Sequence, residues 1–420
     1  MVTVVGLGFV GLTTALGFAS QEYKVYGFDT DSRRIEEIKN AKCDLLEPFL
    51  REKINEFLNY RFYLGESLQN ALKNSKYIFV CVGTPSQDNG TVNYDDMLCA
   101  LKQVIEQFPN DEVHRNIIIK STVPPGTCKD IIAPLLRENG LYKNRVSIVS
   151  NPEFLREGFC WEDFNDPGRI VIGAEDDYAF CEMRKLYEKF NVPIHEVSLA
   201  SSEFSKYLSN ILLATMISFS NEMSIAAKVF DDVDIKSVFS IMHDDNRLKN
   251  GGIASYIYPG CGFGGYCLPK DIMAFITALE QKNYISDLFK SVAHTNDNII
   301  QCFCDEICCK AEKETSIGLL GLSFKPFSDD VRDTPAFKII SELRRRGYSN
   351  LLAFDPVANE NYVHMYGDQD VNLQSSAEAL ISNAQIIMVV TAWPEFKELN
   401  YMGKIVIDGR YYLDQQELPV

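Results

Sequence analysis

The chain has 420 residues, of which 46% are hydrophobic and 24% charged, and its formal net charge is −17. This length allows two or three domains with separate hydrophobic cores, and the composition excludes disordered and fibrous proteins. Because nucleic acids and anionic membranes attract basic proteins, the negative charge argues against both as partners, although converging lysines and arginines can still bind a small anion.

The sequence carries no sign of membrane insertion or export, so we expect a cytoplasmic protein. No uninterrupted apolar stretch approaches the roughly 20 residues that a membrane helix needs, and Met1 leads directly into a strand-like segment. The cysteines are scattered from Cys43 to Cys309 without the spacing of a disulfide framework, which predicts reduced thiols. The tightest group falls in one predicted amphipathic helix that cannot direct all its thiols to one ion, so we expect no metal. That group is Cys302, Cys304, Cys308 and Cys309.

Short β-rich runs alternate with helical patterns through residues 1–200. The predicted strands are 2–5, 24–28, 77–82, 116–120, 146–149 and 170–172. Regular alternation of this kind is typical of a parallel sheet covered by helices. We therefore predict a Rossmann-like domain over residues 1–200.

A glycine motif follows the first predicted strand and opens a helix. Its glycines are Gly6, Gly8 and Gly11, and Asp29 ends the next strand. In a dinucleotide-binding fold such glycines allow a tight turn and bring backbone amides to a pyrophosphate, while the carboxylate accepts hydrogen bonds from a ribose. A carboxylate there repels a 2′-phosphate, which favours NAD over NADP. The alternative interpretation is a glycine-rich turn without a ligand.

Polar segments also follow two later strands. One of them, 81–86, contains Thr84, and the other, 120–127, contains Thr122. Both are predicted to lie at the carboxyl edge of the same sheet, where ligands of such folds bind. Polar turn residues also cap helices, so each segment alone is equally consistent with a structural role.

Long helical stretches replace this alternation from Ser201 to about Phe239, and a further helical stretch extends to about Lys313. Strand-like runs resume at 316–322, 351–354, 384–390 and 405–407. We predict a central helical domain over residues 201–313 and a second Rossmann-like domain over residues 314–420. The expected fold class is α/β, with two Rossmann-like parallel-sheet domains joined by a central helical segment.

The segment 263–271 places glycines, a thiol, an ammonium and a carboxylate close together. Pro269 suits the first turn of a helix, and the residues from Asp271 onward have helical apolar spacing. Cys267 is therefore predicted to lie just before a helix N-terminus, where the backbone dipole favours thiolate over thiol. The functional interpretation is a nucleophile, and the structural one is a small buried residue in a glycine-rich turn.

Three pairs of polar residues share the spacing of one helical turn, which can project both members onto one face. The pairs are Glu153 with Glu157, Lys206 with Asn210, and Cys267 with Asp271. Taken singly, a lysine or a pair of glutamates is more typical of a solvated surface than of a catalytic site.

These motifs extend over nearly the whole chain, and in their order the sequence resembles the UDP-glucose/GDP-mannose dehydrogenase family. Within that family it is most similar to the bacterial UDP-glucose 6-dehydrogenases. The segments that carry the resemblance are 6–11, 82–85, 121–124, 151–158, 169–173, 264–271 and 324–326.

The resemblance implies an enzyme that oxidises the C6 alcohol of UDP-glucose to the carboxylate of UDP-glucuronate, a precursor in polysaccharide biosynthesis, with two NAD in succession. Cys267 would attack the intermediate aldehyde, and the thiohemiacetal would be oxidised to a thioester that water hydrolyses. Lys206 and Asn210 would stabilise the developing oxyanion. Thr122 would help to position water. The general base stays open among three carboxylates, which are Glu153, Glu157 and Asp271.

The resemblance also implies which residues contact each ligand. Those carried over to NAD are Gly6, Gly8, Phe9, Val10, Gly11, Asp29, Arg34, Val82, Thr84, Thr122, Glu157, Lys270 and Arg332. Those carried over to the nucleotide sugar are Glu153, Phe154, Leu155, Lys206, Asn210, Arg247, Tyr256, Gly260, Phe263, Gly264, Phe324, Lys325 and Arg410.

In the family, the arginine that Arg247 matches comes from a neighbouring subunit, so a homodimer through the central helical segment is expected. Two other functions remain open. One is a GDP-mannose 6-dehydrogenase, which uses the same thiol chemistry but must accept a purine. The other is a catalytically silent nucleotide-sugar sensor with the same fold.

Overall fold

The computed structural model describes residues 1–41, 47–65, 67–87, 89–248 and 252–413. Cys43, one of the predicted reduced thiols, lies outside these residues. The chain divides into two compact units, Met1–Leu208 and Ser209–Val420, and each contains one parallel or mainly parallel sheet. The finer division into three domains stays a prediction.

The first unit contains an eight-stranded sheet within the described residues. Its strands are β1 (Val2–Val5), β2 (Val25–Phe28), β3 (Phe62–Leu64), β4 (Tyr77–Val80), β5 (Arg115–Ile119), β6 (Val146–Ser150), β7 (Ile170–Gly173) and β8 (Ile194–Val197). Its helices are α1 (Phe9–Ser20), α2 (Ser32–Lys39), α3 (Leu50–Phe57), α4 (Leu68–Asn74), α5 (Asp95–Glu106), α6 (Ala133–Glu138), α7 (Cys160–Asn165) and α8 (Asp177–Leu186), and a π-helical turn spans Cys128–Ile132.

The strand order in this sheet is β3-β2-β1-β4-β5-β6-β7-β8. Pairing is parallel from β3 to β6, which confirms the predicted parallel α/β class. β7 pairs antiparallel with β6, and β8 runs parallel to β7. Every residue of β1, β4, β5 and β6 is buried, as expected of central strands covered on both faces. The edge strand β8 exposes His195 and Glu196, so no apolar run predicted it.

A single long helix, α9 (Leu199–Ala227), contains the boundary between the two units. It has 29 residues, and it confirms the change to helical structure predicted from Ser201 onward.

The second unit combines helices with a five-stranded parallel sheet in its described part. Its helices are α10 (Ile235–His243), α11 (Cys267–Gln281), α12 (Asp287–Lys310), α13 (Pro335–Arg345), α14 (Asn359–Tyr366) and α15 (Ala377–Asn383), with 3-10 turns at Gly252–Tyr256 and Pro394–Glu398. Its strands are β9 (Ile317–Leu320), β10 (Leu351–Phe354), β11 (Asn372–Leu373), β12 (Ile386–Val389) and β13 (Ile405–Asp408). Their order is β11-β10-β9-β12-β13, which repeats the order β3-β2-β1-β4-β5 of the first sheet.

The same type of turn occurs once in each sheet. Gly6 after β1 has φ +90°, and Gly321 after β9 has φ +100°. The amide that follows each glycine donates to an aspartate after the neighbouring strand, over 2.6 Å to Asp29 and over 2.8 Å to Asp355. Asp355 is buried and also accepts hydrogen bonds from the Trp393 indole and from nearby backbone amides. Asp29 is partly exposed, so of the two carboxylates it is the accessible one.

Among the described helices, none is long and apolar enough to cross a membrane. Cys302, Cys304, Cys308 and Cys309 all lie in α12, and the cysteines within the described ranges form no disulfide. In the same parts of the chain, no three histidine, cysteine, aspartate or glutamate side chains come together as a metal site.

Candidate active site

The turn between β1 and α1 requires glycine at two positions. Gly6 has φ +90°, in the left-handed region that favours glycine. A Cβ on Gly11 would lie 1.8 Å from the carbonyl oxygen of Gly6. Any side chain at position 11 would therefore push α1 away from the strand that precedes it.

The N-terminus of α1 fits a dinucleotide. Phe9 and Val10 form its first turn, and among the described residues no side chain caps this helix and no acidic residue lies in that turn. A Cβ on Gly8 would meet no described atom within 4 Å. The amide groups and the helix dipole are thus left to an anion such as a pyrophosphate.

Asp29, the residue expected to bind a ribose, is held in place by backbone amides. Asp29 accepts the amides of Leu7 at 2.6 Å and Asp31 at 2.9 Å, which fix its carboxylate after β2. Arg34, in α2, forms an ion pair with Glu37 at 3.0 Å. This arrangement fits NAD, whose ribose hydroxyls donate to a carboxylate.

Two polar segments meet at the carboxyl edge of the sheet, as predicted. The Thr84 hydroxyl donates to the Thr122 carbonyl at 2.8 Å, and the Ser121 hydroxyl donates to the Val82 carbonyl at 2.6 Å. The segments after β4 and β5 therefore hold each other in place beside the glycine turn, whose Gly6 approaches the Cys81 backbone.

Lys206 and Glu153 form a buried ion pair in the first unit. The Lys206 Nζ lies 2.9 Å from Glu153 Oε1, and the two side chains are 6% and 8% exposed. The other carboxylate oxygen of Glu153 accepts the Leu155 amide at 2.5 Å. The Phe154 ring next to them lies 5.7 Å from the Lys206 ammonium and 4.0 Å from the Arg169 guanidinium.

The helical spacing proposed for Glu153 and Glu157 is wrong. Both residues lie in the irregular connection between β6 and α7. Pro152 disfavours helical backbone in the residue before it, which opposes a helix that begins directly after β6. Glu153 is buried and Glu157 is partly exposed, so their environments differ.

Lys120 is a buried cation near this ion pair, and the local sequence pattern did not single it out as a site residue. Its Nζ donates to Asn151 Oδ1 at 3.2 Å, and burial lowers the pKa of its ammonium. Burial also raises the pKa of the nearby Cys81 thiol to about 12. Lys120 and Glu153 line a cavity of about 120 Å³ together with Arg169. A lysine at a strand end is common, so only the fold reveals its burial.

Cys267 is the first residue of α11 rather than a residue just before it. Its side chain is exposed, and no described side chain caps the N-terminus of this helix. The first-turn amides therefore favour an anion such as a thiolate at this place. The sequence had left a buried structural cysteine open, and its exposure removes that interpretation.

Asp271 lies one turn after Cys267 in the same helix and is 1% exposed. It accepts a hydrogen bond from Asn210 Nδ2 at 2.6 Å and pairs with Lys270 Nζ at 2.5 Å. An amide and an ammonium thus compensate one buried carboxylate. Asn210 lies in α9, one turn beyond Lys206 as predicted.

Two of the cations expected at NAD lie near the Tyr266 ring. The Lys270 ammonium lies 5.5 Å from this ring, and the Arg332 guanidinium lies 4.5 Å from the same ring. Arg332 also forms an ion pair with Asp330 at 2.7 Å. Burial raises the pKa of the Tyr266 hydroxyl.

A cavity of about 440 Å³ in the second unit gathers three residues expected at the nucleotide sugar. They are Phe324, Lys325 and Arg410. Arg410 donates to the Val390 carbonyl at 2.5 Å and the Phe324 carbonyl at 3.3 Å. Lys236 and Lys397 line the same cavity but belong to no recognisable motif, so sequence reasoning missed them. Such a group of cations suits a diphosphate.

The remaining expected contacts also lie in the second unit. Gly260, Phe263 and Gly264 belong to a buried segment before Cys267, and a Cβ on Gly260 would lie 2.9 Å from the Arg410 Nη1. Tyr256 ends the 3-10 turn that begins at Gly252. Arg247 is exposed and forms an ion pair with Asp245.

Comparison with known protein families matches consecutive parts of this chain to the consecutive domains of one family. The UDP-glucose/GDP-mannose dehydrogenase family is described by three models, all of which match this chain. Its NAD binding domain matches residues 1–191, its central domain residues 200–298, and its UDP binding domain residues 318–415.

Individual relatives cover nearly the full chain. UDP-glucose 6-dehydrogenase YwqF of Bacillus subtilis is 32% identical, over 99% of this chain and 94% of the relative. The structure of a UDP-glucose dehydrogenase from Pyrobaculum islandicum is similar with a TM-score of 0.93 and 33% identity, over 100% of this chain and 96% of the other. A UDP-D-ManNAc dehydrogenase from Pyrococcus horikoshii has a TM-score of 0.85 and 26% identity, over 99% and 96% of the two chains. The chain thus belongs to the UDP-glucose/GDP-mannose dehydrogenase family and is an NAD-dependent nucleotide-sugar dehydrogenase.

Proposed function

We propose that the enzyme oxidises UDP-glucose to UDP-glucuronate through a thiohemiacetal and a thioester on Cys267. The observation that carries the proposal is the position of this thiol, which is exposed at the start of α11, one turn before the buried Asp271. A two-electron alcohol dehydrogenase needs no nucleophile, whereas oxidation to a carboxylate needs a way to activate the aldehyde.

When bound, NAD accepts one hydride in each of the two oxidations. The first removes a hydride from C6 of the sugar and a proton from its hydroxyl, which gives an aldehyde. The Cys267 sulfur then bonds to the aldehyde carbon, and the second oxidation converts this thiohemiacetal to a thioester. Water adds to the thioester, the C–S bond breaks, and the products are a carboxylate and the original thiol.

Lys206 and Asn210 are the proposed donors to the sugar oxygen. Both are buried cationic or amide groups, and each is already oriented by a carboxylate, Glu153 for the lysine and Asp271 for the amide. Oriented donors stabilise developing negative charge without reorganising during the reaction. We propose that the base is one of Glu153, Glu157 and Asp271, and that Thr122 helps to position the water.

The nucleotide is proposed to bind at the cationic cavity of the second unit. Lys325 and Arg410 line it, and the match of the family's UDP binding domain covers both residues. Their charges explain how a protein with a net charge of −17 can bind a dianionic diphosphate. NAD is proposed to contact the glycine turn, Asp29 and the segments at Thr84 and Thr122.

We further propose a cytoplasmic homodimer joined through the central helical segment. On α9, Leu212, Phe219 and Met223 share one face by their spacing and are each at least 44% exposed. Such an apolar surface is typical of an interface. Arg247 is exposed, as a residue that reaches a neighbouring subunit must be. Sedimentation should give a dimer, and Phe219→Asp should give a monomer.

The substrate is tested with the purified protein, NAD, and either UDP-glucose or GDP-mannose. We expect two NADH for each UDP-glucose consumed, with UDP-glucuronate as the product. Oxidation of GDP-mannose but not of UDP-glucose would overturn the proposed specificity for the uracil nucleobase and for glucose. Binding of either nucleotide sugar without NADH formation would instead support the silent sensor.

A further inference from the structure

The segment 260–265, which we call the thiol loop, leads to Cys267 but belongs to no helix or strand. All six of its residues are buried. A buried irregular backbone must find hydrogen-bond partners outside regular secondary structure. In this loop, two asparagine side chains supply partners from helices distant in sequence.

Asn296 in α12 pairs with both backbone groups of Phe263. Its Oδ1 accepts the Phe263 amide at 2.7 Å, and its Nδ2 donates to the Phe263 carbonyl at 3.0 Å. The side chain is 5% exposed. Gly262 permits this approach, because a Cβ there would lie 2.6 Å from Asn296 Oδ1.

Asn221 in α9 holds the start of the loop. Its Oδ1 accepts the Gly260 amide at 2.8 Å, and the residue is fully buried. The next residue, Cys261, donates its thiol hydrogen to the Gly409 carbonyl at 3.3 Å. Two asparagines and the carbonyl of Gly409, the residue after β13, therefore hold three of the first four residues of the loop.

The end of the loop packs on the segment before α13. The Gly265 amide donates to the Arg332 carbonyl at 2.9 Å. A Cβ on Gly264 would lie 2.5 Å from the Asp333 carbonyl oxygen. The loop is thus held at Gly260 by Asn221 and at Gly265 by the Arg332 carbonyl.

We propose that Asn296, assisted by Asn221, is a positioning residue that sets the place of the Cys267 sulfur. This inference rests on the proposed function, since it assumes that Cys267 attacks an aldehyde. Displacing a reacting group by about 1 Å can cost about a hundredfold in rate. The pair of hydrogen bonds to Phe263 lies four residues before the thiol and resists such a displacement.

The role predicts an effect on one step of the reaction. The first oxidation does not use the thiol, whereas the second requires the sulfur at the aldehyde carbon. Loss of the Asn296 side chain should therefore slow the second oxidation much more than the first. A role limited to stability would slow both oxidations equally, through the fraction of folded enzyme.

The test compares Asn296→Ala with Asn298→Ala, two residues along the same helix. Single-turnover experiments with enzyme in saturating excess over UDP-glucose follow the release of the first and second NADH, so that weaker sugar binding through Phe263 does not itself slow the first release. We expect Asn296→Ala to slow the second release by about a hundredfold and the first by less than about threefold, whereas Asn298→Ala follows the parent protein. Equal slowing of both releases, or no change in either, would refute the positioning role.

Hydrogen exchange of the parent protein gives a second measurement that needs no variant. Peptides covering 260–266 should exchange at least about tenfold more slowly than the exposed turn at 283–285. Equal exchange would show that the loop is not held. Absence of turnover by the parent protein would overturn the proposed function and the positioning role together. Slow hydrogen exchange would in that case still show that the thiol loop is held by its hydrogen bonds.

Discussion

Replacing Lys206 by methionine removes one partner of a buried ion pair and should destabilise the first unit strongly. The Lys206 and Glu153 side chains are 6% and 8% exposed, with 2.9 Å between the charged atoms. Glu153 would keep the Leu155 amide as a donor but lose its compensating charge. Breaking a buried pair in this way costs about 3–5 kcal/mol.

The expected loss can be read as a change in melting temperature. For a unit of about this size, 1 kcal/mol corresponds to roughly 2–4 °C, so Lys206→Met should lower Tm by roughly 6–20 °C. The double variant Lys206→Met with Glu153→Gln leaves no uncompensated charge and should recover most of this loss. Neither variant should recover activity, because loss of an oxyanion donor costs about a hundred- to thousandfold in kcat.

The matched control is Lys228→Met. Lys228 follows α9 directly and pairs with Glu306 at 2.8 Å, but the two side chains are 48% and 30% exposed. An exposed pair contributes about 0–1 kcal/mol, so this variant should melt within a few degrees of the parent protein. If Lys206→Met behaved like the control, or the double variant melted below the single one, the assignment of a buried compensating pair would be wrong.

Three further predictions follow from other contacts. Gly8→Ala should leave Tm unchanged and weaken NAD binding by at least about tenfold, because its methyl group enters the open space at the start of α1. Gly11→Ala should instead destabilise the fold. Thermal melting and calorimetric titration with NAD distinguish the two variants. Cys267→Ser should bind NAD normally but form almost no UDP-glucuronate, and undiminished carboxylate in a product assay would refute the thioester route. Hydrogen bonding from Arg345 and Arg346 lowers the pKa of Glu342 to about 2. Because the Arg345 side chain is 72% exposed, solvent screens the pair, and Glu342→Gln should lose about 1 kcal/mol of stability at neutral pH. A lowered carboxyl pKa stabilises above the ordinary value of 4.5, so denaturation curves of parent and variant should converge as pH falls from there towards 2, and a constant difference would contradict this.

Local sequence was enough for features that depend on neighbouring residues. Gly6 and Gly11 are required where a tight turn brings a helix close to its strand, and Pro269 marks the first turn of α11. Central strands such as β4 are buried at every residue, so they read as apolar runs. These features arise from backbone sterics and burial within a few residues, which a single sequence displays directly.

Edge strands and irregular connections were harder to predict from the sequence than central strands. β8 was missed because its side chains are partly exposed and show no apolar run. Glu153 and Glu157 have helical spacing but follow a strand through Pro152. In both cases, the tertiary surroundings rather than the local residue pattern decided the backbone conformation.

The sequence by itself determined the alternating α/β architecture, the glycine turn with Asp29, and a cysteine at the start of a helix. Only the tertiary structure decided which side chains hold one another, because the partners are distant in the chain. Asp271 meets Asn210 across 61 positions, and Phe263 meets Asn296 across 33. A buried polar group must find a partner wherever the fold brings one, and residue spacing along the sequence does not record that choice.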